Sequence, residues 1–255
     1  MRFDFPSPIP NIEKGLPQSI FDAALNIFPI FEPQKTQTHK LEFGTPEIKN
    51  PSKLKSKKAV TQEAKSTITE STISIFHSLE KDKTLTIAAN TLYVQVRRYD
   101  TFELFLSETL QPLSALFSSF PEIRANRVGL RYVNVLDIPG KDPLDWEKYI
   151  NPELLGMIGF YNKTNMSRAF QILEYNFHED ALKFQVGIAN PDYPAVIKQR
   201  HFVLDVDASS VGVFDYSEIV SKINIGHQRI QEIFESSITD ATRTAMKGIK
   251  HASRK

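Results

Sequence analysis

The sequence predicts an α+β fold, an antiparallel sheet of about six or seven strands packed against a kinked central helix and a long C-terminal helix. Several segments alternate apolar and polar residues with a period of two, and short turns rather than helices join them, as antiparallel pairing requires. Two other segments space their apolar residues by threes and fours, the pattern of amphipathic helices. The chain has 255 residues, 41% hydrophobic and 24% charged, which suits one globular domain over 1–255 with a sizeable core.

Residues 1–18 hold Pro6, Pro8, Pro10 and Pro17 and read as an extended arm. Ser19 to Phe28 places Ile20, Ala23, Ala24, Ile27 and Phe28 at helical spacing, and Pro29 closes that helix. A strand is expected over Thr36 to Phe43. Residues 44–66 change character: Lys49, Lys53, Lys55, Lys57 and Lys58 face only Glu47, so the stretch reads as a mobile, solvated loop. Ile68 to Leu79 and Thr84 to Arg97 are rich in β-branched and aromatic residues, with Glu80 to Lys83 joining them. Asp100 with Glu103 has capping-box spacing and opens the central helix, whose stripe runs from Phe102 through Leu113 to Phe120. Pro112 lacks the amide hydrogen its turn needs and is expected to kink or split that helix.

The stretch RVGLRYVNVLDI, Arg127 to Ile138, alternates almost without fault, with Asn134 in an otherwise apolar row. Residues 139–165 are irregular and contain the only tryptophan, Trp146. Strands follow over Arg168 to His178, Ala181 to Ala189 and Gln199 to Ala208, the first two joined by a turn at His178 to Ala181. Asp215 and Glu218 form another capping pair, and one helix is expected from Tyr216 to about Lys247. At 1.5 Å per residue it spans roughly 45 Å. A helix of that length either lies diagonally across a wide sheet or packs in part on another subunit, and it is the motive for expecting a homodimer or a larger complex. A basic tail occupies 248–255.

The totals narrow the function classes. Net charge is +1, from 31 basic and 30 acidic side chains, without the basic excess of a dedicated nucleic-acid binder. Cysteine is absent, which removes disulfides, thiolate zinc sites and a cysteine nucleophile. MRFDFPSPIP lacks the apolar core of a signal peptide, and no apolar run is long enough to span a membrane, so a cytoplasmic protein is expected. There is no glycine-rich phosphate loop, GxSxG elbow, HExxH or dinucleotide fingerprint, and no cofactor is expected.

GLRYVN, Gly129 to Asn134, and GHQRIQEIFESSIT, Gly226 to Thr239, resemble the two most recognisable stretches of a sporadically distributed prokaryotic family of uncharacterised proteins. Its members share a GLRYxN strand and a C-terminal helix with His followed by Phe-Glu-x-Ser-Ile-Thr. FPSPIPNIE is similar to that family's proline-rich start. The resemblance implies a shared layout and brings no reaction and no catalytic residues with it.

Three groups of residues are candidate sites. Arg131, Tyr132 and Asn134 present polar atoms near a strand end, where they meet a ligand or partner, or where Asn134 latches the strand to a neighbouring irregular segment. Arg97 and Arg98 join Arg131 as a cationic patch. His201, Asp205 and Asp207 share one face of a strand, and with His178 or Glu174 would suit Mg²⁺ or Mn²⁺ in a phosphodiesterase or nuclease. No third carboxylate stands beside Asp205 and Asp207, so no metal is expected there. His227 borders the apolar stripe of the last helix, as a core histidine or an acid–base group. The resulting expectation is a non-catalytic binding or assembly module, acting through a sheet face and the long helix on a protein partner or a second copy. A metal-dependent hydrolase and RNA binding by the Lys49–Lys58 loop are its alternatives.

Overall fold

A computed structural model describes residues 1–43 and 64–252. In chain order it contains β1 (Arg2–Asp4), α1 (Gln18–Leu25), β2 (Ile30–Phe31), β3 (Gln34–Phe43), β4 (Ala64–His77), β5 (Lys83–Ala88) and β6 (Thr91–Val96). Then come α2 (Phe102–Ser119), β7 (Ala125–Leu136), β8 (Ala169–Phe177), β9 (Asp180–Ile188), β10 (Phe202–Phe214), α3 (Tyr216–Ser237) and α4 (Asp240–Ala252). The class is α+β with antiparallel pairing, as expected. Among the described residues the strands number ten rather than six or seven. Most of residues 44–66, and the last three residues of the tail, lie outside the described residues.

The extra strands have local causes. Thr84 to Arg97 is two strands, not one, because Ala89 and Asn90 turn the chain between Ala88 and Thr91, which pair. The proline-rich arm is built into the protein: β1 pairs with β7, and Phe3 and Phe5 are buried. β2 is a two-residue strand on β4.

The chain divides into two compact units, Met1–Pro6 with Glu122–Lys255 (unit 1) and Ser7–Pro121 (unit 2). In unit 2, β4 pairs with β2, β3 and β5, and β5 pairs with β6. Helix α1 packs on α2, and the rings of Phe21, Phe31 and Phe76 meet at 4.8–5.6 Å. Helix α2 starts one residue later than expected. Thr101, not Asp100, is the N-cap, and its hydroxyl accepts the Leu104 amide at 3.2 Å. Pro112 sits buried inside α2 without splitting it.

In unit 1 the strand order is β1-β7-β10-β9-β8. Helix α3 packs on β7 and β10, and Ile219, Ile223 and Ile230 are buried there. Burying each contributes about 1.5–3 kcal/mol. Gly226 lies against Ala208 of β10, where an added Cβ would just meet the Ala208 methyl at 3.4 Å. The segment between β7 and β8 extends this cover: Trp146 is fully buried with its ring 5.3 Å from Phe202.

The expected single helix from Tyr216 to Lys247 is two helices. The chain becomes extended at Ile238, which bridges to Ile150, while Asn151 donates to the Ser237 carbonyl and Thr239 to that of Tyr149. Two β-branched residues in succession weaken the helix at this point, and the 149–151 segment supplies the hydrogen bonds that the break releases. The apolar stripe of α3 is therefore spent within its own unit.

Candidate functional site

Alternation on four strands gives the sheet of unit 1 two unlike faces. On β10, Phe202, Leu204, Val206 and Ala208 are buried on the side that α3 covers. Val203, Asp205, Asp207 and Ser209 therefore point the other way. By register, Arg131, Val133 and Val135 of β7, Lys183 and Gln185 of β9, and Ile172 and Glu174 of β8 share that outer side. Val133, Val135 and Ile172 are each 54–55% exposed, too open for core residues.

The centre of this face is an ion pair. Arg131 donates to Asp205 through Nε at 2.8 Å and Nη2 at 2.5 Å, a two-pronged match of planar groups. Asp207 lies opposite both Arg131 and Lys183 in register. Burial pushes its carboxyl above the ordinary range, with Asp205 adding to the shift against the pull of Arg127, Arg131 and Lys183. Together with Gln185, these residues line a shallow cleft of about 120 Å³. Nearby, Arg2 donates to Asp4 at 2.9 Å and Arg127 stands 3.6 Å from the same carboxylate. Charges of both signs alternate across the face.

The fold separates the residues that the sequence singled out. Arg131 and Asp205, expected in separate sites, are partners. Tyr132 and Asn134 lie on the opposite face from Arg131, because neighbouring residues of a strand alternate. The Tyr132 ring lies 6.1 Å from that of His227, which places His227 on the covered side, far from the carboxylates. Asn134 does not latch an irregular segment: its amide points at the carbonyl of Leu204, its partner on β10, at a long 3.5 Å. His201 precedes β10 with Nε2 3.9 Å from Asp137, and four extended residues put it about 13 Å along the chain from Asp205. His178 sits in the β8–β9 turn, and Glu174 lies 3.9 Å from Lys183. Among the described residues, no group of three or more histidines and carboxylates gathers as a ligand set. Arg97 and Arg98 belong to unit 2, where the Arg97 amide donates to Asp82 and the Arg98 guanidinium to Glu80. The Lys49–Lys58 stretch lies outside the described residues.

Two features escape a sequence reading. Asp180 is buried and accepts from Ser210 at 2.7 Å, Lys222 at 3.0 Å and Arg229 at 2.8 Å, tying the β8–β9 turn to α3. Phe160 and Tyr161, in the irregular segment before β8, are 89% and 83% exposed. Lys222 and Arg229 stand two helical turns apart on one side of α3, but nothing local in the sequence names their partner. No helix among the described residues is long and apolar enough to cross a membrane. Comparison with protein-family models, with curated proteins and with solved structures finds no match to this chain.

Proposed function

We propose that this chain is a non-catalytic binding module that takes a protein partner on the outer face of the unit 1 sheet. The observation that carries the reading is one-sided cover. Helix α3 and the Trp146 segment occupy one face, while Val133, Val135 and Ile172 stay exposed beside the Arg131–Asp205 pair on the other. Exposed apolar side chains amid paired charges match the make-up of protein recognition surfaces. A nucleic acid is a poorer fit, since phosphate contact needs cations in excess. Here Arg2, Arg127, Arg131 and Lys183 face Asp4, Glu174, Asp205 and Asp207. The two recognisable motifs serve the two faces: GLRYVN supplies Arg131 to the open side, and GHQRIQEIFESSIT lies in the helix that closes the other.

The test compares wild type with the double variant Val133→Glu, Val135→Glu in native-level affinity purification read by mass spectrometry. Both side chains are exposed, but Val133 stands opposite Asp205, so the like charge should lower stability by about 1 kcal/mol at most, and the two proteins are compared where both remain folded. The expected result is a co-purifying protein retained by wild type and lost from the variant. An identical set of retained proteins rejects the outer face as the contact.

A further inference from the structure

The edge of the unit 1 sheet carries a second surface, which adjoins the outer face at Ile172 and Glu174. Strand β8 ends the sheet and pairs only with β9 among the described residues. Its turn is two residues long, with Phe177 paired to Asp180, so the odd-numbered residues bond β9. Phe170, Ile172, Glu174 and Asn176 then turn their N–H and C=O groups away from the sheet. Edge strands are normally blunted by lysine, proline, a bulge or a short length. β8, AFQILEYNF, has none of these: it runs nine residues in unbroken register, and its one charge is Glu174.

We propose that β8 pairs antiparallel with β8 of a second copy about a twofold axis at Leu173. This register places Ala169 opposite Phe177 of the partner strand, Phe170 opposite Asn176, Gln171 opposite Tyr175 and Ile172 opposite Glu174. Every residue of the strand is used, every outward N–H and C=O finds a partner, and Glu174 avoids its own copy, which would repel it. The side chains agree with the backbone. Tyr175 and Phe177 are stacked at 6.5 Å, each more than 40% exposed, on the α3 side of the strand's end. At its beginning, on that same side, a groove of about 230 Å³ lies among Leu154, Met157, Ile158, Met166 and Ala169. A cavity of roughly 150 Å³ already holds a benzene ring. The twofold brings the aromatic end of each strand to the groove of the other, and that complementarity selects a second copy over an unrelated strand.

The absence of cysteine makes the register directly testable. Sedimentation velocity of the full chain over a concentration series should show a monomer–dimer equilibrium. Ile172→Pro removes an N–H that β9 does not use, and Ile172→Glu sets a like charge opposite the partner's Glu174, so both should shift the chain to monomer. Leu173→Cys faces itself across the axis with Cα atoms about 4.5 Å apart, a spacing that suits a disulfide. It should crosslink about tenfold or more faster than Asn176→Cys, whose copies lie about 20 Å apart along the strands. A chain that stays monomeric throughout overturns the proposal. So does a dimer that Ile172→Glu leaves intact, or one in which the two cysteine variants crosslink at equal rates. The pairing does not depend on the outer-face reading, and the Val133→Glu, Val135→Glu variant should dimerise as wild type does.

Discussion

Asp180 shows how a single residue ties an edge hairpin to the covering helix. Burial alone would push its carboxyl up, but hydrogen bonds from Ser210, Lys222 and Arg229 outweigh it and hold the carboxyl below the ordinary range. A carboxyl lowered in the folded state stabilises above the unfolded range and loses that contribution as pH falls through the folded value. Asp180→Asn should therefore cost about 2–4 kcal/mol in urea unfolding at neutral pH, because two largely buried cations lose their counter-charge. The deficit should shrink as acid protonates the wild-type carboxyl, and a cost independent of pH contradicts this account. The cluster was not legible in the sequence, since Lys222 and Arg229 lie 42 and 49 residues from Asp180. The Asp215–Glu218 capping box was legible because both of its hydrogen bonds are local. At the start of α2 the expected cap, Asp100, is off by one residue, because Thr101 beside it is also a good N-cap and takes the role. Splitting Arg131 from Asp205, and joining it to Tyr132, had another cause: the first needed the β7–β10 register, while the second overlooked alternation.

At the scale of elements, strands with unbroken alternation and helices with local caps could be read directly, and the divisions within them could not. Ile238 and Thr239 end α3 because residues 148–151 offer them hydrogen bonds, a partner remote in sequence. The Ala89–Asn90 turn lacks glycine and proline, the usual punctuation, so two strands looked like one. The β8–β9 hairpin depends on Gly187, whose φ of 155° few other residues adopt and where a Cβ would fall 2.0 Å from the Ala169 carbonyl oxygen. Gly187→Ala should destabilise unit 1 by about 3 kcal/mol, since it adds strain to a backbone clash. Hydrogen exchange should show the loss concentrated at the start of β8. Wild-type protection of the Ala169 and Gln171 amides in that variant would contradict the assigned register.

Over the whole molecule, the class and the antiparallel pairing were readable from period and turn length, while the number of strands, the division into two compact units and the edge at β8 came from long-range pairing. The functional reading rests on the unlike faces of the unit 1 sheet, one closed by α3 and the other open. Because the chain has no cysteine, single cysteines report each face without background. The most direct test is the rate of thiol alkylation of Val133→Cys and Lys183→Cys on the outer side against Leu204→Cys and Val206→Cys on the inner. The outer pair should react at rates near those of an unfolded peptide, and the inner pair only as fast as the protein unfolds. Protection of Val133→Cys and Lys183→Cys in the isolated folded chain would mean that the face is already covered, and would contradict its assignment as a binding surface.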